Sequence, residues 1–252
     1  MRFQMQRRKK DRSPRATLYR IVLLAFVFVI LKGDEGSGFL SCSDSGNDHS
    51  PNLCVKPTAL ENLLNGCDEL TGADLSGAYL SGVYLRRAEL SGADLTGAVL
   101  KYADLEGANL TYANLAGAVL EDANLYNADL EGANLAGANL NDAYLNRADL
   151  RNTNLADADL EGANLKYAKV VDGDLRNANL SNANLYSTNL GFADLTGAYL
   201  TGVDLTNANL EGVNLNKVGW RNTICPDGTN SDDHGATCCG HLNDAVPSAG
   251  CD

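Results

Sequence analysis

The sequence predicts an all-β solenoid in which the chain turns a corner every five residues, and two periodicities carry that prediction. From Leu70 to Leu215 every fifth residue is Leu, in 29 of 30 positions, with Val170 the exception. Two residues before each Leu, positions 73 to 213 hold Ala in 23 of 29 cases, with Val83, Thr153, Gly173, Thr188, Val203 and Val213 as substitutes. The unit is A-[D/N]-L-x-x.

Neither regular element accommodates this spacing. An α-helix turns about 100° per residue, so a five-residue step rotates the Leu by about 140° and scatters leucines around every side. A flat strand needs apolar residues at every second position, whereas here the intervals alternate two, three, two, three. Each quintet is therefore a very short extended piece with Ala and Leu turned inward, followed by a corner. Burial of each Leu contributes about 1.5 to 3 kcal/mol before entropy is counted. Small Ala beside it fits a coil too narrow for two large side chains, and an interior filled this way offers no cavity for a small molecule.

These residues resemble the pentapeptide-repeat family across about 150 residues. The resemblance implies a right-handed quadrilateral parallel β-helix, four quintets to a coil, with Leu at the centre of each side. At the strand-to-strand spacing of about 4.8 Å, the expected 7.5 or so coils give a rod about 36 Å tall.

Four segments follow. Residues 1–38 hold Arg2, Arg7, Arg8, Lys9, Lys10, Arg12, Arg15 and Arg20, then the apolar run Ile21 to Leu31 and a polar stretch. That is the layout of a secretory signal peptide, or of an uncleaved anchor. As a helix the eleven apolar residues span about 16 Å, short of the roughly 30 Å hydrocarbon core, so an anchor would have to recruit Thr17 to Arg20. Residues 39–67 form an N-terminal cap. Within it Pro57 to Leu64 reads as a short helix, with Thr58 and Glu61 at capping-box spacing and Gly66 as its stop. The solenoid spans 68–219, and 220–252 is a Cys-rich C-terminal cap. Such caps are needed because a solenoid leaves open backbone edges and an apolar cross-section at both ends.

All seven Cys lie outside the repeat. In an exported chain this favours disulfides that fasten the caps: Cys54 with Cys67, and two bonds among Cys225, Cys238, Cys239 and Cys251 in a pairing the sequence does not fix. Cys42 is left over. A metal site from Cys225, Cys238, Cys239 and His241, with or without His234, is the sharper alternative. Its spacing matches no standard zinc module, so no metal is assigned.

The solenoid has no His, and the chain carries no nucleophile motif or phosphate loop; its carboxylates recur with the repeat. No catalytic residue and no cofactor are assigned, and the protein is expected not to be an enzyme. From Gly33 onward 11 basic residues stand against 31 acidic ones, a formal charge of −20. Such a body repels nucleic acid and anionic membranes, so the membrane is met only through the N-terminal segment and no direct nucleic-acid binding is expected.

Two functions come into view. One is an exported protein, in a periplasm, thylakoid lumen or extracellular space, acting as a non-enzymatic scaffold that binds a protein partner or a second copy of itself. The other comes from the resemblance: some members of the family mimic duplex DNA and bind a type II topoisomerase such as DNA gyrase, which the acidic charge suits and export does not. Residues twenty apart stack in such a rod. Asp74, Asp94, Asn114, Asn134, Asn154, Asp174, Asp194 and Asn214 should then form one polar column, able to bond amide to amide, with its adjacent Asp pairs sharing protons or cations. On the next side Tyr79, Val99 and Val119 should present a weakly apolar strip, the candidate protein contact. The irregular segment Lys169 to Gly173 should loosen one corner.

Overall fold

The structure, a computed structural model, describes residues 70–235 and 237–242, all within the unit Cys67–Asp252. The signal or anchor over 1–38, the cap over 39–67 with its short helix, and Cys42, Cys54, Cys67 and Cys251 lie outside the described residues.

Each quintet makes one parallel bridge to the quintet twenty residues on. The bridges rise in four columns, from Asp74 to Asn214, from Tyr79 to Gly219, from Tyr84 to Ile224 and from Glu89 to Asn209. Four columns at a twenty-residue interval make a four-sided coil, and each side is named below by its first bridged residue. The corners repeat one turn: the amide of the residue at the Ala position donates to the Leu carbonyl three residues earlier, as Ala73 does to Leu70 at 3.0 Å. The second corner residue has a positive φ, +63° at Gly72. Corner and Leu amides donate up to the next coil, while the amide before each Leu donates down: Leu75 to Asp94, Gly77 to Thr96, and Asp94 to Ala73. The backbone is thus paired on every side, as a fold without long strands requires.

Inside, the Leu column is closed to solvent, with Leu145 at 0% exposure. Thr153, Thr188 and Thr223 replace Ala at the small position and are buried. Each hydroxyl donates to the Leu carbonyl 23 residues earlier, Leu130, Leu165 and Leu200, at 2.9, 2.8 and 2.6 Å. Threonine is therefore accepted there without an unpaired polar atom.

The segment at 169–173 is not loosened. Asp149, Lys169 and Asn189 stay bridged, Gly173 still donates to Val170, and Val170 is fully buried. A Cβ on Gly173 would lie 2.9 Å from Val170 Cγ1. The branched methyl of Val170 occupies the space that Ala takes elsewhere, so the two exceptions in the repeat compensate one another.

The solenoid also runs beyond the expected boundary at 219. Tyr199 bridges Gly219 and Asp204 bridges Ile224, while Trp220 and Cys225 fill the next two Leu positions, both buried. Trp220 continues the core column as well as plugging it. The following chain folds back: Ile224 pairs antiparallel with Asn230, and a 3-10 helix follows at Ser231–His234. Ser231 serves the open edge of the last coil, donating from Oγ to the Trp220 carbonyl at 2.5 Å and accepting the Thr223 amide at 3.0 Å. Cys225 and Cys238 are joined by a disulfide.

Candidate protein-interaction surface

The sides of the rod differ because the residue before each Leu points outward and is free to vary. On the Asp74 side Asn134 Nδ2 donates to Asn114 Oδ1, and Asn154 Nδ2 to Asn134 Oδ1, both at 3.0 Å. Each Oδ1 also accepts the backbone amide two residues on, as Asn134 does from Ala136 at 3.3 Å. The same rung recurs on other sides, Asn124 to Asp104, Asn179 to Asp159 and Asn209 to Asn189. The carboxylates of the stacked Asp pairs turn to their own corners instead of to each other. Asp74 turns to its own corner, where the Ser76 hydroxyl and amide hold its carboxyl below the usual range, and Asp94 takes the same bonds from Thr96. Asp174 is lowered by Arg176. At Asp149 burial works to raise the value, but Arg151 and Lys169 outweigh it and leave it lowered.

On the Tyr79 side, Tyr79 bridges Val99 and Val99 bridges Val119, before the column turns polar at Asn139. Tyr79 is 67% exposed, the two valines are half-buried, and Gly77, Gly97 and Gly117 form the corner beside them. A Cβ on any of these three glycines would meet nothing within 4 Å, so the corner is open as well as smooth.

A second feature lies on the corner that follows the Tyr84 side, and the sequence reading missed it. Tyr167 and Tyr186 meet edge to face at 5.9 Å, Lys166 sits over both rings at 5.1 and 4.5 Å, and Arg147 sits 6.0 Å from the Tyr167 ring. The twenty-residue stacking rule finds this cluster when applied to the corner positions as well as to the residue before Leu.

In the C-terminal cap, Cys225 and Cys238 spend their sulfurs on each other, so the alternative of a metal site from Cys225, Cys238, Cys239 and His241 loses two of its thiolates. Cys239 also takes part in a disulfide. His241 Nδ1 lies 2.7 Å from Asp227 Oδ2, and Asp227 also accepts the Thr229 hydroxyl and amide. Burial alone would raise the Asp227 carboxyl, but these bonds set it at about 2.

The model of the pentapeptide-repeat family matches this chain in eight copies over 69–101, 103–142, 143–182 and 178–216, more than half its length. The chain belongs to the pentapeptide-repeat family. The family fold is the right-handed quadrilateral β-helix whose four sides are described above. Among solved structures, this pentapeptide-repeat protein is similar to HetL, involved in heterocyst differentiation regulation in the cyanobacterium Nostoc sp. strain PCC 7120. The identity is 38%, over 64% of this chain and 86% of that one, at a TM-score of 0.35. It is also similar to QnrB1, a plasmid-mediated fluoroquinolone resistance protein, at 20% identity over 60% and 90% of the two chains and a TM-score of 0.35. A pentapeptide-repeat protein of the Arabidopsis thaliana thylakoid lumen matches at 28% identity over 57% and 74%, with a TM-score of 0.21. Among curated proteins no match was found.

Proposed function

We propose that this pentapeptide-repeat protein is an exported, non-enzymatic scaffold whose outer faces hold a protein partner, with Tyr79, Val99 and Val119 as the contact. The observation that carries the reading is the side-to-side difference of the rod. Its interior is filled, so binding falls to the faces, and the Tyr79 side joins an exposed aromatic and two half-buried aliphatic groups to an open glycine corner in its first three coils. Export rests on the basic and then apolar N-terminal sequence and on the cysteines gathered outside the repeat.

Charge density weighs against the DNA-mimic alternative. Residues 70–225 hold 19 acidic and 10 basic residues. Their eight or so coils stand about 38 Å tall, and duplex DNA of that length carries about 22 phosphate charges, more than twice the net charge of the rod. Several carboxylates are also already engaged by Arg and Lys of the rod itself, as in Arg151 with Glu131 and Asp149 and in Lys101 with Glu121.

Fractionation of cells making a tagged full chain tests the export half of the proposal. Recovery in the exported fraction, with oxidised cysteines, is the expected result. A cytosolic protein with its N-terminus intact and its cysteines reduced would overturn it and return the DNA-mimic reading.

A further inference from the structure

The two corners that flank the Tyr84 side carry opposite charges in step. The preceding corner has Lys101, Asp142, Glu161 and Arg221, and five or six residues on the following corner has Glu106, Arg147, Lys166 and Asp227, while Glu121 and Asp122 on the first and Arg86 and Arg87 on the second face no charge. Five residues are a quarter of a coil, so the members of each couple differ in height by only about 1.2 Å. Among the described residues no ion pair joins Asp142 to Arg147 or Glu161 to Lys166 across the face. Arg147 and Lys166 lie instead against Tyr167 and Tyr186.

We propose that two copies of the chain pack parallel, Tyr84 side to Tyr84 side, about a two-fold axis running along the rods. That axis sets the preceding corner of each copy opposite the following corner of the other at the same height. Asp142 then faces the second copy's Arg147 and Glu161 its Lys166, each couple twice over; the outer couples, Lys101 with Glu106 and Arg221 with Asp227, contribute less, because Lys101, Glu106 and Asp227 are already held by Glu121, Arg86 and His241. Packed faces stand about 10 Å apart, a gap that facing Arg or Lys and Asp or Glu side chains reach across. The antiparallel arrangement sets each corner against its own kind, Asp142 and Glu161 against acids, which costs rather than contributes.

The other three sides do not serve the same arrangement. On the Tyr79 side it would oppose Asp157 to Glu161 and Lys217 to Arg221, and on the Glu89 side Arg147 to Arg151. The Asp74 side is also flanked by opposite charges, Arg151 with Asp157 and Asp172 with Arg176. However, its centre holds four carboxylates that the axis would set against their own copies, Asp74, Asp94, Asp174 and Asp194, against two on the Tyr84 side, and both arginines of its couples are already paired, with Asp149, Glu131 and Asp174. The centre of the Tyr84 side carries Asn124, Asn164 and Asn184 with the exposed Tyr84 and Tyr144, and two carboxylates, Asp104 and Asp204, of which Asp104 is paired with Arg86. Tyr144, at 52% exposure, falls on the axis and meets its own copy.

The test uses the full chain in sedimentation velocity, with circular dichroism to show that each variant is folded. The wild type should be a dimer that weakens with salt. Arg147→Glu with Lys166→Glu makes both corners acidic, Asp142→Lys with Glu161→Lys makes both basic, and each variant alone should be monomeric. Mixed together they should form a one-to-one heterodimer. Tyr144→Cys should cross-link to itself with a short bis-maleimide, reporting parallel register. A monomeric wild type, charge variants that still dimerise, a mixture that stays monomeric, or a Tyr144→Cys variant that does not cross-link would each overturn the proposal.

Discussion

At the residue scale the fold rests on which side chains turn inward. Leu145 is closed to solvent and Asn146 beside it is a half-buried corner residue. Leu145→Asp buries a charge in a column with no partner for it and should prevent cooperative folding, whereas Asn146→Asp should change stability by less than about 0.5 kcal/mol. Thermal melts check both, and equal stability of the two would reverse the inward and outward assignment. Val170 and Gly173 make a sharper case, because their exchange is mutual. Gly173→Ala alone should cost about 1 to 3 kcal/mol by overpacking against Val170 Cγ1, and Val170→Leu in the same chain should recover most of that. A double-mutant cycle reads the coupling; additive effects would mean that the two exceptions are unrelated.

The corners store a different residue-scale cost. Eighteen non-glycine residues of the described chain take a positive φ, among them Tyr112 and Phe192. A side chain there is strained, and its bulk is accommodated from above: a Cβ on Gly132 would strike the Tyr112 ring, and one on Gly212 the Phe192 ring. At these two corners the large residue leans over a glycine twenty positions later.

At the scale of the element, the rung between coils is the unit. Asn134 donates to Asn114 and accepts from Asn154 and from the Ala136 amide, so Asn134→Ala removes three bonds at once. Chemical denaturation should show a loss of about 2 kcal/mol for Asn134→Ala and close to none for Asn146→Ala. Equal effects would reduce the ladder to a solvated stripe. The column itself was legible in the sequence, because a five-residue period and a twenty-residue coil place those residues without knowledge of any side chain. The resolution of its Asp pairs was not. The spacing gives Asp74 beside Asp94, but the hydroxyls of Ser76 and Thr96 that turn the carboxyls to their own corners act two residues along the chain, across the stacking direction. The end of the solenoid was misjudged for a related reason. Trp220 and Cys225 break the Leu rule in composition but keep its position, and the backbone register follows position.

At the scale of the whole described unit, the closure of the C-terminal cap is tied to acid. Asp227 sits at about 2, below its unfolded value of about 4, because Thr229 and His241 hold its charged form. A depressed carboxyl contributes stability above the unfolded pKa and loses it as the pH falls through the folded one. The difference in Tm between wild type and Asp227→Asn should therefore shrink as the pH falls below about 4 and be largely gone near pH 2. A difference that grew on acidification would mean that the carboxylate is not held in this way. The basic-aromatic corner beside the Tyr84 side belongs to the same scale. It escaped the sequence reading because Arg147 with Tyr167 and Lys166 with Tyr186 keep the twenty-residue step but are unlike in type, so no repeated residue marks the column.

That the outer faces are the working part of the molecule is tested most directly on the Tyr79 side. In Val99→Lys with Val119→Lys the two lysines stand outward in adjacent coils, clear of the core. The measurement is the mass of complexes recovered with the tagged full chain from its own cells, compared between this variant and the wild type at equal melting temperature. The account predicts unchanged melting and loss of the partner band. Unchanged recovery in the double variant would contradict it, and a lost melting transition would show the strip to be buried against the protein's own chain.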